Sequence, residues 1–170
     1  MTTSATTYTT PRDTIDWRVR EVLHLIDAKL RVVFLMRDPF ERCWSAVRME
    51  KRFKNLTGSD DALLQRLYAS PGFEVRTRYD RTVRSLRATF PESALYFGLY
   101  GTMHEEGELR RLSDFLGVTL PSGASDHRFN ATPKIELVSE QTADCVRGFY
   151  QEVYDFCRTE FPACHAHWGC

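Results

Sequence analysis

Leu30-Arg-Val-Val-Phe-Leu-Met-Arg37-Asp38-Pro39-Phe40-Glu41-Arg-Cys43-Trp44-Ser45-Ala-Val47-Arg-Met49 decides the fold. Val32–Met36 is a short apolar, partly β-branched run without alternation, the pattern of a central parallel strand covered on both faces. The character then changes within one residue. Arg37 stands where the strand ends, Asp38 suits a helix cap, Pro39 the first helical position and Glu41 the third, a capping-box-like start. Phe40, Cys43, Trp44 and Val47 recur at i, i+3, i+4 and i+7, which sets one buried helix face and leaves Ser45 well off it.

A strand running into a helix start is where open α/β sheets form ligand crevices, and a helix N-terminus offers N–H groups and a positive dipole to an anion. Arg37 adds a planar cation suited to phosphate oxygens, and Ser45 a hydroxyl two turns along. The plainer alternative is that Arg37 pairs with Asp38 or Glu41 and Ser45 faces water.

The pattern Arg-Asp-Pro-x-x-Arg-x-x-Ser after an apolar strand resembles the 3′-phosphate-binding segment of sulfotransferases that use 3′-phosphoadenosine 5′-phosphosulfate (PAPS), with bacterial members the most similar in wording. The resemblance implies that Arg37 and Ser45 bind the 3′-phosphate of PAPS or of its product 3′,5′-adenosine bisphosphate (PAP). It also implies a partial P-loop-NTPase-like α/β fold, a parallel sheet flanked by helices. The acceptor it implies is a hydroxyl or an amine.

A chain of 170 residues is expected to be one domain, able to bury roughly 70% of its unfolded surface. Basic and acidic residues balance at 23 each, so no global field draws the protein to nucleic acid or an anionic membrane. Arginine supplies most of the basic residues, which favours local recognition of phosphate or sulfate; genome base composition explains the bias equally well. Five cysteines are an odd set rather than a secreted disulfide framework, and a reducing cytoplasm is the expected compartment. No run reads as a membrane span and the N-terminus does not read as a signal peptide.

Residues 1–12 read as a flexible Thr-rich segment, and 13–170 as a single domain that begins with a sheet-covering helix near Thr14–Asp27. His24 lies beside that helix's apolar stripe and reads as structural. Arg48, Lys51, Arg52 and Lys54 read as a solvated basic face. A short helix is expected over Asp61–Tyr68, and one helix from the Ser70-Pro71-Gly72 break to Phe90. The apolar stripe of the latter is Val75, Tyr79, Val83, Leu86 and Phe90. Ala94–Tyr100 reads as the second strand, and Glu105–Leu116 as a helix with Leu109, Leu112, Phe115 and Leu116 inward and Gly117 as its stop. Ser139–Phe161 reads as one long helix burying Ala143, Val146, Tyr150, Val153 and Cys157.

Between the last two helices, Leu120–Lys134 is a polar loop similar to the one that closes over the nucleotide in sulfotransferases. That likeness makes Arg128 and Lys134 candidate phosphate contacts, with ordinary loop charges as the alternative. The Cys164–Cys170 tail is too compact for a tetrahedral zinc site, so no metal is expected, and Trp168 is expected to anchor it by packing. Sulfotransferases carry an activating lysine in an N-terminal Gly/Ser/Thr-rich phosphosulfate loop. None of Lys29, Lys51, Lys54 and Lys134 stands in such a loop. The resemblance therefore spans the C-terminal two thirds of the family fold, without its N-terminal strand–loop–helix, and implies a truncated chain, weakly active or inactive alone, with no catalytic residue assigned. The alternative from another class is a non-catalytic binding or assembly domain that uses its Arg76–Arg87 face or an exposed sheet edge, including for self-association.

Overall fold

The computed structural model describes residues 30–119 and 136–168. Within them the order is β1 (Val32–Met36), α1 (Pro39–Lys54), α2 (Asp60–Leu67), α3 (Pro71–Thr77), α4 (Tyr79–Thr89), β2 (Leu95–Leu99), α5 (Glu106–Leu116), α6 (Glu140–Phe149), α7 (Gln151–Glu160) and α8 (Cys164–His167). β1 and β2 pair in parallel, with Val32 opposite Leu95 and Met36 opposite Leu99. Parallel neighbours cannot be joined by a tight turn, and α1 to α4 form the crossover between them. The chain is thus mixed α/β with a two-stranded parallel sheet among its described residues.

Local chemistry sets the boundaries. Asp38 caps α1 by accepting from the Glu41 amide at 3.0 Å, with Pro39 at the first position; Asn55, in the left-handed region at φ 51°, ends the helix. Ser59 and Ser139 cap α2 and α6 in the same way, accepting from Ala62 and Thr142. Gly117 stops α5 with φ 68°, a conformation that carries no steric penalty for glycine.

α1 is the central helix. Its Cys43, Trp44, Ala46 and Val47 are buried against α2, α3 and α6, together with Leu63, Leu64, Phe73 and Val146. α7 contributes Val153, Tyr154 and Cys157 to the same core. One buried polar network joins α1, α2 and the segment before α6. The Trp44 indole donates to Asp60 at 3.0 Å, Lys51 bridges Asp60 and Glu136, and the Asp60 amide donates to Glu136 at 2.7 Å.

Several expectations are corrected. β1 is not covered on both faces by described residues. Phe34 and Met36 face the core, where Phe34 meets the rings of Tyr79 and Phe97, but Val33 and Leu35 are 38% and 39% exposed. The expected covering helix at Thr14–Asp27 lies outside the described residues, as does the segment 1–12. The expected helix ending at Phe90 is two helices, broken where Arg78 takes ψ 70°. The break turns Phe73 and Thr77 inward and leaves Val75 49% exposed. Likewise Ser139–Phe161 breaks at Tyr150, whose φ −99° and ψ 16° leave the helical region, although every residue of its predicted stripe is buried. Leu109, Leu112 and Phe115 are only half-buried and Leu116 is exposed; α5 packs on β2, where Phe115 meets the Tyr96 ring. Trp168 packs as expected, its ring beside Tyr79 and Tyr154.

Candidate functional site

Arg37 and Tyr100 are the residues that follow the paired strand ends Met36 and Leu99. Both chains turn there, one into α1 and the other into a 3-10 turn over Tyr100–Thr102. The Arg37 guanidinium lies 5.3 Å from the Tyr100 ring centre, and its Nη2 is 2.9 Å from Glu41 Oε2. Arg37 therefore does pair with Glu41, the plainer of the two sequence readings. Both side chains are about a quarter exposed, and an i, i+4 pair so placed is worth only about 0.3–0.5 kcal/mol. Hydrogen bonds from arginine to a phosphate are worth about 1.5–3 kcal/mol, so the pair positions Arg37 without locking it away from such a ligand.

The helix start itself is committed. Pro39 has no N–H to offer. The Phe40 amide donates to the Tyr154 hydroxyl at 3.2 Å, the Glu41 amide donates to Asp38 Oδ1 at 3.0 Å, and the Tyr154 hydroxyl donates to the same Oδ1 at 3.1 Å. The expectation that these amides support a bound phosphate is therefore corrected: α7 delivers a tyrosine hydroxyl to that place. Asp38 is nearly buried, and burial raises its pKa against the lowering effect of its hydrogen bonds.

Side chains on α1 supply what the amides do not. Ser45 lies one turn beyond Glu41 and Arg42, opposite the buried face. Neither the Ser45 nor the Arg42 side chain has a hydrogen-bond or ion-pair partner among the described residues, and both residues are half-buried. Arg42 and Ser45, three residues apart, share one face of α1, and Arg37 precedes that helix at the strand end. Beneath them Tyr79 is core, its ring between Phe34 and Trp168. Its hydroxyl stands by the Arg37 backbone, with a pKa pushed well up by burial.

Arg128 and Lys134 lie outside the described residues, as does His24. Arg42 was missed from sequence although it stands inside the quoted motif; its signal was its place one helical turn before Ser45. Tyr154 was missed because it comes from α7, 116 residues from Asp38, and nothing local marks it.

The two basic faces are largely balanced. Lys51 and Lys54 pair with acids, and Arg48 and Arg52 lie over the rings of Trp44 and Phe53. Along α3 and α4, Arg78 pairs with Glu74 and Glu152, Arg81 with Glu74, Arg84 with Asp80 and Arg87 with Glu160. Among the described residues no three metal-ligating side chains gather, and no helix is long and apolar enough to cross a membrane. No protein-family model matches the chain, and no curated protein matches it.

Proposed function

We propose that this chain is a sulfotransferase-family domain, with a P-loop-NTPase-like arrangement of its sheet and helices, that binds PAPS or PAP through the 3′-phosphate. The observation that carries this reading is the place of Arg37 at the carboxyl end of a parallel strand, the position at which open α/β sheets bind ligands, with Arg42 and Ser45 on the half-buried side of the helix that follows. Arg37, held between Tyr100 and Glu41, presents its fork to the phosphate. Arg42 adds a second positive charge and Ser45 a hydroxyl. The sequence likeness assigns Arg128 and Lys134 to the same nucleotide.

Sulfuryl transfer from PAPS to a hydroxyl or amine needs a cation on the departing oxygens and a base for the acceptor. Lys51 is held between Asp60 and Glu136, Lys54 is an exposed helix-surface residue beside Glu50, and the sequence likeness puts neither in a phosphosulfate loop. Nucleotide binding without efficient turnover is accordingly the expected behaviour of these 170 residues alone. Calorimetric titration with PAP tests the reading. Binding that Arg37→Ala abolishes supports it; no heat at millimolar ligand, or equal affinity after the substitution, sinks it.

A non-catalytic assembly domain on the same scaffold is the second reading, favoured by the exposed apolar side chains of Leu30, Val33 and Leu35. The balanced charges along α3 and α4 argue against that face as its docking surface. Light scattering tests its self-associating form, for which a concentration-dependent rise in mass is expected.

A further inference from the structure

At the far end of α1 from Arg37, a cleft of about 390 Å³ opens between the last turn of α1, the end of α2 and α3. Its size falls within the roughly 300–1,000 Å³ of small-molecule sites. A helix rises about 1.5 Å per residue, so the length of α1 sets the cleft roughly 20 Å from the strand ends. It shares no residue with Arg37, Arg42 and Ser45.

The walls carry three cations, Lys54, Arg66 and Arg76, against one carboxylate, Glu50. Lys54 and Glu50 pair at 2.5 Å and cancel one another. The side chains of Arg66, in the last turn of α2, and Arg76, in the last turn of α3, have neither an ion pair nor a hydrogen bond among the described residues. The acids of these two helices are engaged elsewhere: Asp60 with Lys51, Asp61 with the Ser139 amide, and Glu74 with Arg78 and Arg81. Arg76 is thus an exception on the otherwise balanced face of α3 and α4, and the cleft keeps a surplus of two positive charges.

Two further features suit an anion. Ser70 lines the cleft where α2 passes into α3, and its hydroxyl makes no capping hydrogen bond to the helix it precedes, which leaves it able to donate. Gly72 lies one turn before Arg76 on the same face of α3, and a Cβ there would meet nothing within 4 Å, so the approach to Arg76 is open. We propose that this cleft binds small phosphate monoesters, the phosphate held by Arg66, Arg76 and the Ser70 hydroxyl and the organic part lying over Gly72. Such a group carries a charge of about −1.5 to −2 at neutral pH, which matches the surplus on the walls, and arginine forks suit its oxygens. The site does not depend on the reading of the α1 start.

The test is a titration followed by backbone NMR, with glycerol 3-phosphate as ligand and glycerol as its uncharged counterpart. The ester is expected to bind with a Kd on the order of 1 mM and to shift the amides of Arg66, Leu67, Ser70, Gly72 and Phe73, whereas glycerol at the same concentrations shifts none of them. Arg66→Gln and Arg76→Gln should each weaken binding at least about threefold, the scale for exposed charges. Arg110→Gln, which removes an exposed arginine outside the cleft, should leave it unchanged. Gly72→Leu fills the open approach and should weaken binding at least about tenfold without lowering the melting temperature, since glycine is the poorer helix former. Equal weakening by Arg110→Gln, an affinity indifferent to the Arg66 and Arg76 substitutions, full affinity in Gly72→Leu, or shifts confined to residues 37–45 overturns the proposal. So does the absence of any shift at about ten times the expected Kd.

Discussion

The Arg37 guanidinium rests over the Tyr100 ring at 5.3 Å, so the residue that leaves β1 is steadied by the residue that leaves β2. Strand register makes this meeting possible: Met36 opposite Leu99 puts the next residue of each strand side by side. A partly exposed cation–π contact is worth about 0.5–1 kcal/mol, enough to bias a side chain and too little to hold a fold. Tyr100→Ala should therefore weaken PAP binding about two- to fivefold with a melting temperature close to that of the parent, whereas Tyr100→Phe should retain the affinity. An unchanged affinity for Tyr100→Ala would show that the ring does not position Arg37.

On the proposed reading, Glu41 would compete with the phosphate for Arg37 and repel it. Glu41→Gln removes the charge while keeping a residue suited to the third helical position. PAP is expected to bind about two- to fivefold more tightly to this variant, at a stability cost below about 1 kcal/mol from the weakened helix-dipole interaction. Calorimetry at low ionic strength reads the difference. Weaker binding would indicate that Glu41 is needed to aim the guanidinium.

Arg42 and Ser45 separate charge from hydrogen bonding. Since Arg42 makes no ion pair among the described residues, Arg42→Ala should leave folding nearly unchanged. Its effect on PAP should be about ten- to a hundredfold, the scale of a lost charge-assisted contact. Ser45→Ala, which removes a neutral hydroxyl, should cost only about two- to tenfold. Variants with intact affinity would place the phosphate elsewhere.

The local features of this site were legible in sequence and the distant ones were not. Strand β1, the cap at Asp38, Pro39 at the first helical position and the buried face of Cys43, Trp44 and Val47 all depend on residues within a few positions of one another. Helix breaks escaped because an apolar stripe survives a single non-helical residue. Tyr79 and Val83 remain buried after the break at Arg78, as do Val153 and Cys157 after Tyr150. No glycine or proline stands at the Arg78 break, and Gly148, two residues before Tyr150, is too weak a signal inside an unbroken apolar stripe. Exposure of Val33 and Leu35 escaped because an unalternating apolar run says what a strand tolerates, not what lies on each of its faces. Occupation of the helix start by Tyr154 is a tertiary event, visible only once α7 has packed against α1.

That hydroxyl gives the sharpest test of how the helix start is built. Asp38 is nearly buried, and burial lifts its folded-state pKa above the ordinary 3.8, so the folded protein holds this proton more tightly than the unfolded chain does. The associated stability is fully present below the ordinary value and is lost as the pH rises through the folded one. At neutral pH a buried carboxylate remains, supported by the Glu41 amide and the Tyr154 hydroxyl. Asp38→Asn keeps an oxygen for the cap and removes the charge. Its stability relative to the parent should therefore rise as the pH goes from about 4 to 7. Tyr154→Phe takes a hydrogen bond from Asp38 and leaves the Phe40 amide without its acceptor, a loss of about 1–3 kcal/mol that should be larger at pH 7 than at pH 4. Urea denaturation of the three proteins across this range measures both slopes. If Asp38→Asn is most destabilising at neutral pH, the charge itself supports the helix start and burial is not the dominant influence on Asp38.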